Sequence, residues 1–347
     1  MAGRSPSRHA ALFPLGLAGA LAGVLLFAYT VRQTGTAPIL EGIRRVGLGF
    51  AVIVTLAGLR FLARAWAWTL CDDEEGAGLR LRDTFPALVT GDALGNLTPL
   101  GLIVSEPAKA ALVRHRVSLM SALSGIAIEN IFYTLTVAIV IAAGTVALLF
   151  EFDVPQALRH ASLAALAAVV AMVAVGGLIV ALQIKLVSGT IAWLDRRNLG
   201  PVSLRARLEK LRALEDRIYG FHLRHPARAL PILLLECAFH VLGVVEVWVT
   251  LVLLLGAAAP GLLTTFILEA VNRTITVVFK FVPLRIGVDE AGTELLTRTL
   301  GLGSGIGVTM AIVRKVRMLF WTAIGVAFLV RRGLAGTVRE RVESAGG

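Results

Sequence analysis

Cysteine is nearly absent from this chain: two residues, Cys71 and Cys237, in 347. One closes an apolar run and the other sits inside another, a placement that supports neither a disulfide framework nor a metal-ligand spacing. Charge is also scarce. Asp, Glu, Lys and Arg make up 16% of the residues against 56% hydrophobic, and mean hydropathy is +0.79, far from the balance of a soluble domain. Enzyme templates are missing too. The chain has no His-Glu-x-x-His, no P-loop, no nucleophile elbow and no Cys-x-x-Cys. The expectation is a protein that is not an enzyme, needs no cofactor and does not use ATP directly.

What is abundant is uninterrupted apolar sequence. Runs at 11–31, 46–70, 122–150, 161–182, 232–255 and 308–330 approach or exceed the ~18–20 residues that a helix needs to cross a bilayer. They lack the alternation of barrel strands, so the expected fold is an all-α integral membrane domain spanning 1–347. The first run follows Arg4 and Arg8. It is long for a signal peptide, and Ala28-Tyr29-Thr30 is not a small-residue cleavage site, so it reads as a retained span.

The net charge of +11 points to a membrane surface and not to nucleic acid. Nine of the Arg and Lys residues lie between Arg196 and Arg228, and Arg331, Arg332, Arg339 and Arg341 follow the last run. The positive-inside rule makes these segments, and both termini, cytoplasmic. Arg32, Arg44 and Arg45 fall in the first external loop, against that rule. Within the basic linker 185–228, residues 203–224 alternate charge with Leu204, Leu208, Leu211, Leu214 and Ile218. That spacing suits a helix lying on the membrane surface or a solvated helical loop.

One short phrase occurs twice. Pro99-Leu100-Gly101-Leu102-Ile103-Val104-Ser105-Glu106 returns as Pro283-Leu284-Arg285-Ile286-Gly287-Val288-Asp289-Glu290, 184 residues later, with Pro, Leu, Val and Glu in register. Repeated interruptions of apolar sequence point to the binding site of a transporter. Arg80, Arg82, Arg114 and Arg116 flank the first copy, whereas the uncharged stretches 256–261 and 301–305 flank the second. The first break therefore enters from the cytoplasm and the second from outside. The expected architecture is an inverted repeat of six full spans plus two oppositely oriented re-entrant helical hairpins, with halves at 46–150 and 230–331.

Pro99 and Pro283 should break helices, with Ser105 and Asp289 capping the restarted ones and Glu106 and Glu290 in their first turns. Restarted N-termini offer free N–H groups and partial positive charge to an anion such as a lipid phosphate. Glu106 reads equally as a neutraliser of its helix end or as a functional group; Glu290 reads as functional. Glu129 and Asn130 lie well inside a span, and the 184-residue shift sets Asn130 against Arg314. Glu129 is a proton site, a substrate contact or a protonated buried carboxyl. Lys280 and Arg285 bracket the second break, as anion ligands or as interfacial anchors. Elsewhere, Arg60 and Arg64 are expected to snorkel to the inner interface, Lys315 and Arg317 to reach a vestibule, and Glu236–His240 and Glu269–Arg273 to pair within their helices.

These residues carry a resemblance. Gly91, Asn96 to Gly101, Ser105-Glu106-Pro107, Arg114-His115-Arg116, Ser121-Ala122-Leu123, Ile128-Glu129-Asn130, Pro283, Gly287 to Glu290 and Arg314 resemble the transmembrane domain of the lysylphosphatidylglycerol synthase/flippase family. The resemblance implies an inner-membrane protein that moves lipids between leaflets, such as aminoacylated phosphatidylglycerol or hopanoid and polyprenyl lipids. Bifunctional members carry a soluble aminoacyl-transferase domain that this sequence lacks, so lipid synthesis is not expected. Where the family has a glycine-rich stretch, this chain has Leu284-Arg285-Ile286. The expected substrate-binding set is Glu106, Glu129, Asn130, Lys280, Arg285, Glu290 and Arg314, and the expected partners are membrane lipids with an anionic head group. A lipid-modifying enzyme partner and a homo-oligomer are both compatible with the sequence. The rivals are a secondary transporter of a soluble anion and a non-transporting scaffold subunit.

Overall fold

The computed structural model describes residues 29, 32, 36–73, 78–97, 101–197, 208–279, 282 and 285–345, with backbone alone at 38, 102, 194–196 and 332–345. No strand occurs among them. The helices run in the order α1 Thr36–Val46, α2 Phe50–Leu70, α3 Leu81–Leu97, α4 Gly101–Leu112, α5 Leu119–Glu151, α6 Gln156–Ala181, α7 Leu186–Arg196, α8 Leu208–Arg224, α9 Pro226–Leu255, α10 Leu262–Val278, α11 Val288–Thr299 and α12 Ile306–Ala345.

The boundaries follow local chemistry. Ser118, in extended conformation, accepts from the Ser121 N–H at 3.1 Å and starts α5. The 33 residues of α5 span about 50 Å, more than a bilayer core. Pro226 opens α9, where its missing N–H costs nothing. Gly287 has a φ of 83°, a left-handed conformation that glycine adopts without strain, and it turns the chain into α11.

Among the described residues, four segments are long and apolar enough to cross a membrane: Ile39–Leu70, Leu119–Glu151, Gln156–Ala181 and Pro226–Ala258. This is a membrane protein. The apolar run 308–330 lies in α12, which has 40 residues but carries Arg314, Lys315 and Arg317 and is not one of the four. The run 11–31 falls outside the described residues except for Tyr29. None of the most apolar part of α6 is buried. A helix that exposes Val170, Val175 and Leu178 this way needs lipid around it.

One order of helices recurs. A long helix, a 17-residue helix, a break, a 12-residue helix and a second long helix appear as α2–α5 and again as α9–α12. The packing recurs with it: α2 packs on α9, α3 on α12 and α10 on α5. Within the first pair of short helices Gly91 faces Lys109; within the second, Ile275, which matches Gly91 in register, faces Gly292.

Two apolar clusters bracket the bundle. One gathers Ile53, Leu148, Val247, Leu251, Ile267, Met310 and Val313. The other gathers Ala67, Cys71, Ile128, Phe221 and Ile232. Helix α8 supplies Phe221 and packs on α5, α7 and α9. Its Glu215 accepts from the Val187 N–H at 2.9 Å and from the Ser188 hydroxyl at 2.5 Å, which neutralises the N-terminus of α7. Burial alone would tie α8 down only partly, because its end is also held by Asp73. That carboxylate takes hydrogen bonds from His225 and from Arg224 at 2.7 Å.

Close packing makes one glycine indispensable. A Cβ on Gly144 would stand 2.1 Å from that of Ala270, whereas one on Gly176 would meet nothing. Gly144→Leu is expected to force α5 and α10 apart and to cost about 1–3 kcal/mol or more. Thermal unfolding in detergent should show this loss, with Gly176→Leu close to wild type. The Asp73 contact predicts an acid response. Burial acts to raise this carboxyl, but the hydrogen bonds and charges of His225 and Arg224 outweigh it and hold it below the usual carboxylate value. Its contribution is therefore complete above the unfolded value of about 3.9 and is lost as pH falls through the lowered folded value. Amide exchange in α8, corrected for intrinsic rate, should rise only in that acid range, and Asp73→Asn should raise it already at neutral pH.

Candidate functional site

An isolated ion inside a bilayer costs about 2.5–3.5 kcal/mol on insertion scales, so charges in apolar helices have to find one another. Here they converge between the two apolar clusters. They surround a polar cavity of about 80 Å³, room for several waters or one phosphate-sized group. Arg60 comes from α2, Glu246 from α9, Glu269, Asn272, Arg273 and Thr276 from α10, Arg285 from the second break and Asp289 from α11. Helix α12 adds Arg314, Lys315, Arg317 and Met318. Six cations thus face three carboxylates.

Each carboxylate is paired with two cations, although Asp289 Oδ1 is buried without a donor. Glu246 accepts from Arg60 at 2.9 Å and from Arg317. Glu269 takes Arg273 at 2.6 Å, with Arg60 at 3.9 Å. Asp289 takes Arg285 at 3.3 Å and Lys315 at 3.5 Å. Behind the wall, Glu290 pairs with Lys315 at 2.8 Å and accepts from the Gly287 N–H at 2.8 Å. Arg314 is treated differently. Its guanidinium donates to the Thr293 hydroxyl at 2.6 Å, its Nε is buried without an acceptor, and among the described residues no carboxylate pairs with it. The Nε atoms of Arg60 and Arg273 are likewise buried without acceptors. Arg285 holds a φ of 49°, unusual for a side chain of its size. Such an arrangement can receive an anion: unspent donors and surplus positive charge meet in a desolvated space.

The expected site residues divide into three places. Arg285 and Arg314 line the cavity with Asp289, and Glu290 supports it from behind. Glu106 and Asn130 lie together elsewhere, the Asn130 amide donating to Glu106 at 3.4 Å and Lys109 pairing with Glu106 at 2.9 Å. Glu129 belongs to a third cluster, on Arg64 at 2.6 Å. Pro99, Pro283 and Lys280 lie outside the described residues.

Several expectations are corrected. Ser105 is the fifth residue of α4, which starts at Gly101, and so does not cap it. Asp289 is the second residue of α11, and the capping contact belongs to Glu290 and Gly287. Arg60 and Arg64 do not snorkel, because Glu246 and Glu129 meet them inside. Lys315 and Arg317 are held by Glu290 and Glu246. His240 reaches the Thr136 hydroxyl at 3.2 Å instead of Glu236. Glu269–Arg273 pairs as expected.

Arg60, Asn272, Thr276 and Met318 were not foreseen as lining residues. The signal available for Arg60 was a cation in an apolar run, but its partner Glu246 lies 186 positions away.

The sequence model of a family described as "Lysylphosphatidylglycerol synthase TM region" matches residues 15–325. No curated protein and no solved structure matches the chain.

Glu246 compensates two buried cations, and its loss strands both. Glu246→Ala is expected to cost about 3–5 kcal/mol, read as a lowered unfolding midpoint in detergent. Glu41→Ala, which breaks an exposed pair with Arg45, should cost at most about 1 kcal/mol.

Proposed function

The chain belongs to the lysylphosphatidylglycerol synthase transmembrane family, and from that premise we propose that it is a flippase-like transporter that moves a phosphate-bearing lipid between the leaflets of the plasma membrane. The observation that carries this reading is the cavity among apolar helices, where six cations face three carboxylates and Arg314 has no carboxylate partner. A phosphate placed there would take the free donors of Arg314 and neighbouring guanidinium groups, while acyl or isoprenoid tails stay in lipid. The surplus charge disfavours a net-positive aminoacylated head group and favours a plain phosphate ester.

The recurring helix order supports an inverted repeat whose breaks are re-entrant hairpins, with six full spans and cytoplasmic termini. In this arrangement α2–α5 and α9–α12 rock against each other to expose the cavity to either leaflet. The chain catalyses no reaction of its own, and its partner is the lipid itself.

The test is movement of acyl-labelled phosphatidic acid and phosphatidylglycerol in proteoliposomes. Arg314→Ala removes a charge-assisted contact worth about 1.5–3 kcal/mol, so movement should fall at least about tenfold, while Arg298→Ala should leave it unchanged. Movement that ignores both Arg314→Ala and Arg285→Ala would place the substrate elsewhere. Uptake of inorganic phosphate without lipid movement would make this a soluble-anion carrier, and neither activity from folded protein would favour a scaffold.

A further inference from the structure

Next to the anion cavity is a second buried cluster that the transport reading does not use. Helix α9 carries Glu236, which is fully buried, and among the described residues no donor reaches either of its carboxyl oxygens. Helix α5 presents Glu129, also buried; one turn further along, Tyr133 of α5 packs on Phe239 of α9 with ring centroids 5.6 Å apart, which sets Glu129 and Glu236 on facing turns. The cation beside the pair is Arg64 of α2, bonded to Glu129 at 2.6 Å and stacked 4.0 Å above the Tyr133 ring. Two carboxylates cannot donate to each other. Ionised together beside one guanidinium, they would leave a net negative charge in the bilayer interior, with two like charges on facing turns of α5 and α9. One proton between them removes the repulsion and supplies the missing donor at once.

From this juxtaposition we propose that Glu236 and Glu129 form a proton-binding site, and that its occupancy is linked to the charge in the neighbouring cavity. The proposal rests on the cavity being an anion site, as argued above, but its proton site stands on its own geometry. Arg60, which lines the cavity, lies one helical turn from Arg64, and both guanidinium groups sit over the Phe239 ring, at 4.4 and 5.8 Å. Arg273, also of the cavity wall, lies 5.0 Å from the same ring. The two sites therefore share one ring and two adjacent turns of α2. On the opposite side, Ile232, Phe221 and Cys71 of the apolar cluster close the pair off.

The other groups near the pair set the sign. Cys71, at the end of α2, belongs to the apolar side itself, and Arg228, near the start of α9, bonds to the Leu70 and Asp72 carbonyls on either side of it. His240 follows Glu236 on α9 and is bonded to Thr136. Helix α10 offers Glu269 and Arg273, which neutralise each other, and Arg317, which α12 sends towards α9, is taken by Glu246. A negative charge arriving in the cavity thus draws on Arg60 and Arg273 and leaves the carboxyl pair less compensated. It favours the protonated pair, and by reciprocity a proton on the pair favours the anion.

Infrared spectroscopy of the purified full chain, titrated from neutral to alkaline pH, reads the proton directly as the carbonyl band of a protonated carboxyl. The band is expected in wild type, lost in Glu236→Gln and retained in Arg314→Ala. Its absence from wild type, or its persistence in Glu236→Gln, overturns the site whatever the lipid assay gives. For the linkage, Met318 lines the cavity without charge. Met318→Glu should shift the disappearance of the band to higher pH, Met318→Lys to lower pH, and Met318→Gln should leave it in place. A midpoint indifferent to both charges overturns the linkage while leaving the proton site standing.

Discussion

Charge compensation across helices is the constraint on which this bundle depends. Glu246 of α9 binds Arg60 of α2 and Arg317 of α12, so one carboxylate ties three helices. Glu269 adds α10 through Arg273 and its approach to Arg60. Buried pairs of this kind add little net stability over apolar packing, yet breaking one is costly. Their value here is positional: they fix the depth at which four helices meet, between one apolar cluster containing Ile53, Val247 and Met310 and another containing Ala67, Phe221 and Ile232.

Within that frame the two recurring helix sets have been given different chemistry. In α2–α5, Asn130 reaches Glu106, and Glu106 holds Lys109, so charge is balanced locally. In α9–α12 the residue matching Asn130 is Arg314 and the one matching Lys109 is Thr293, and they bond to each other at 2.6 Å. The matching positions are thus bonded differently: one set joins through Glu106 and ends neutral, and the other bonds directly and ends with an unspent guanidinium. The surplus positive charge lies on the side of α10, α11 and α12, with Arg60 contributed by α2. The cavity is accordingly asymmetric, although the helix order that builds it recurs.

Polar groups outside the cavity serve to hold helices in place. Glu215 neutralises the start of α7, and Glu294 accepts from the Gly305 and Val308 N–H groups at the start of α12. Glu290 does the same for α11 while also holding Lys315. This dual duty connects the geometry of the second break to the cavity wall, since Lys315 also touches Asp289 and the Arg285 carbonyl.

How much of this was legible depended on the range of each interaction. Runs of apolar residues, read one helix at a time, locate the segments later seen as α2, α5, α6 and α9, because bilayer thickness sets helix length directly. The described parts of the repeated phrase fall at the starts of α4 and α11. Glu269–Arg273 was legible because four residues make one turn. The assignment of Ser105 as a cap failed because the start of α4 was set at Gly101 by packing of the helix pair, beyond what a cap residue dictates. Pairing of Arg60 with Glu246, the docking of α8 and the meeting of Glu129 with Glu236 were decided only by the tertiary structure. Sequence periodicity states that a charge faces inward but carries nothing about which helix lies opposite. Helix length and interruption follow from neighbouring residues and the solvent, whereas the choice of ionic partner follows from which helices pack together and at what depth.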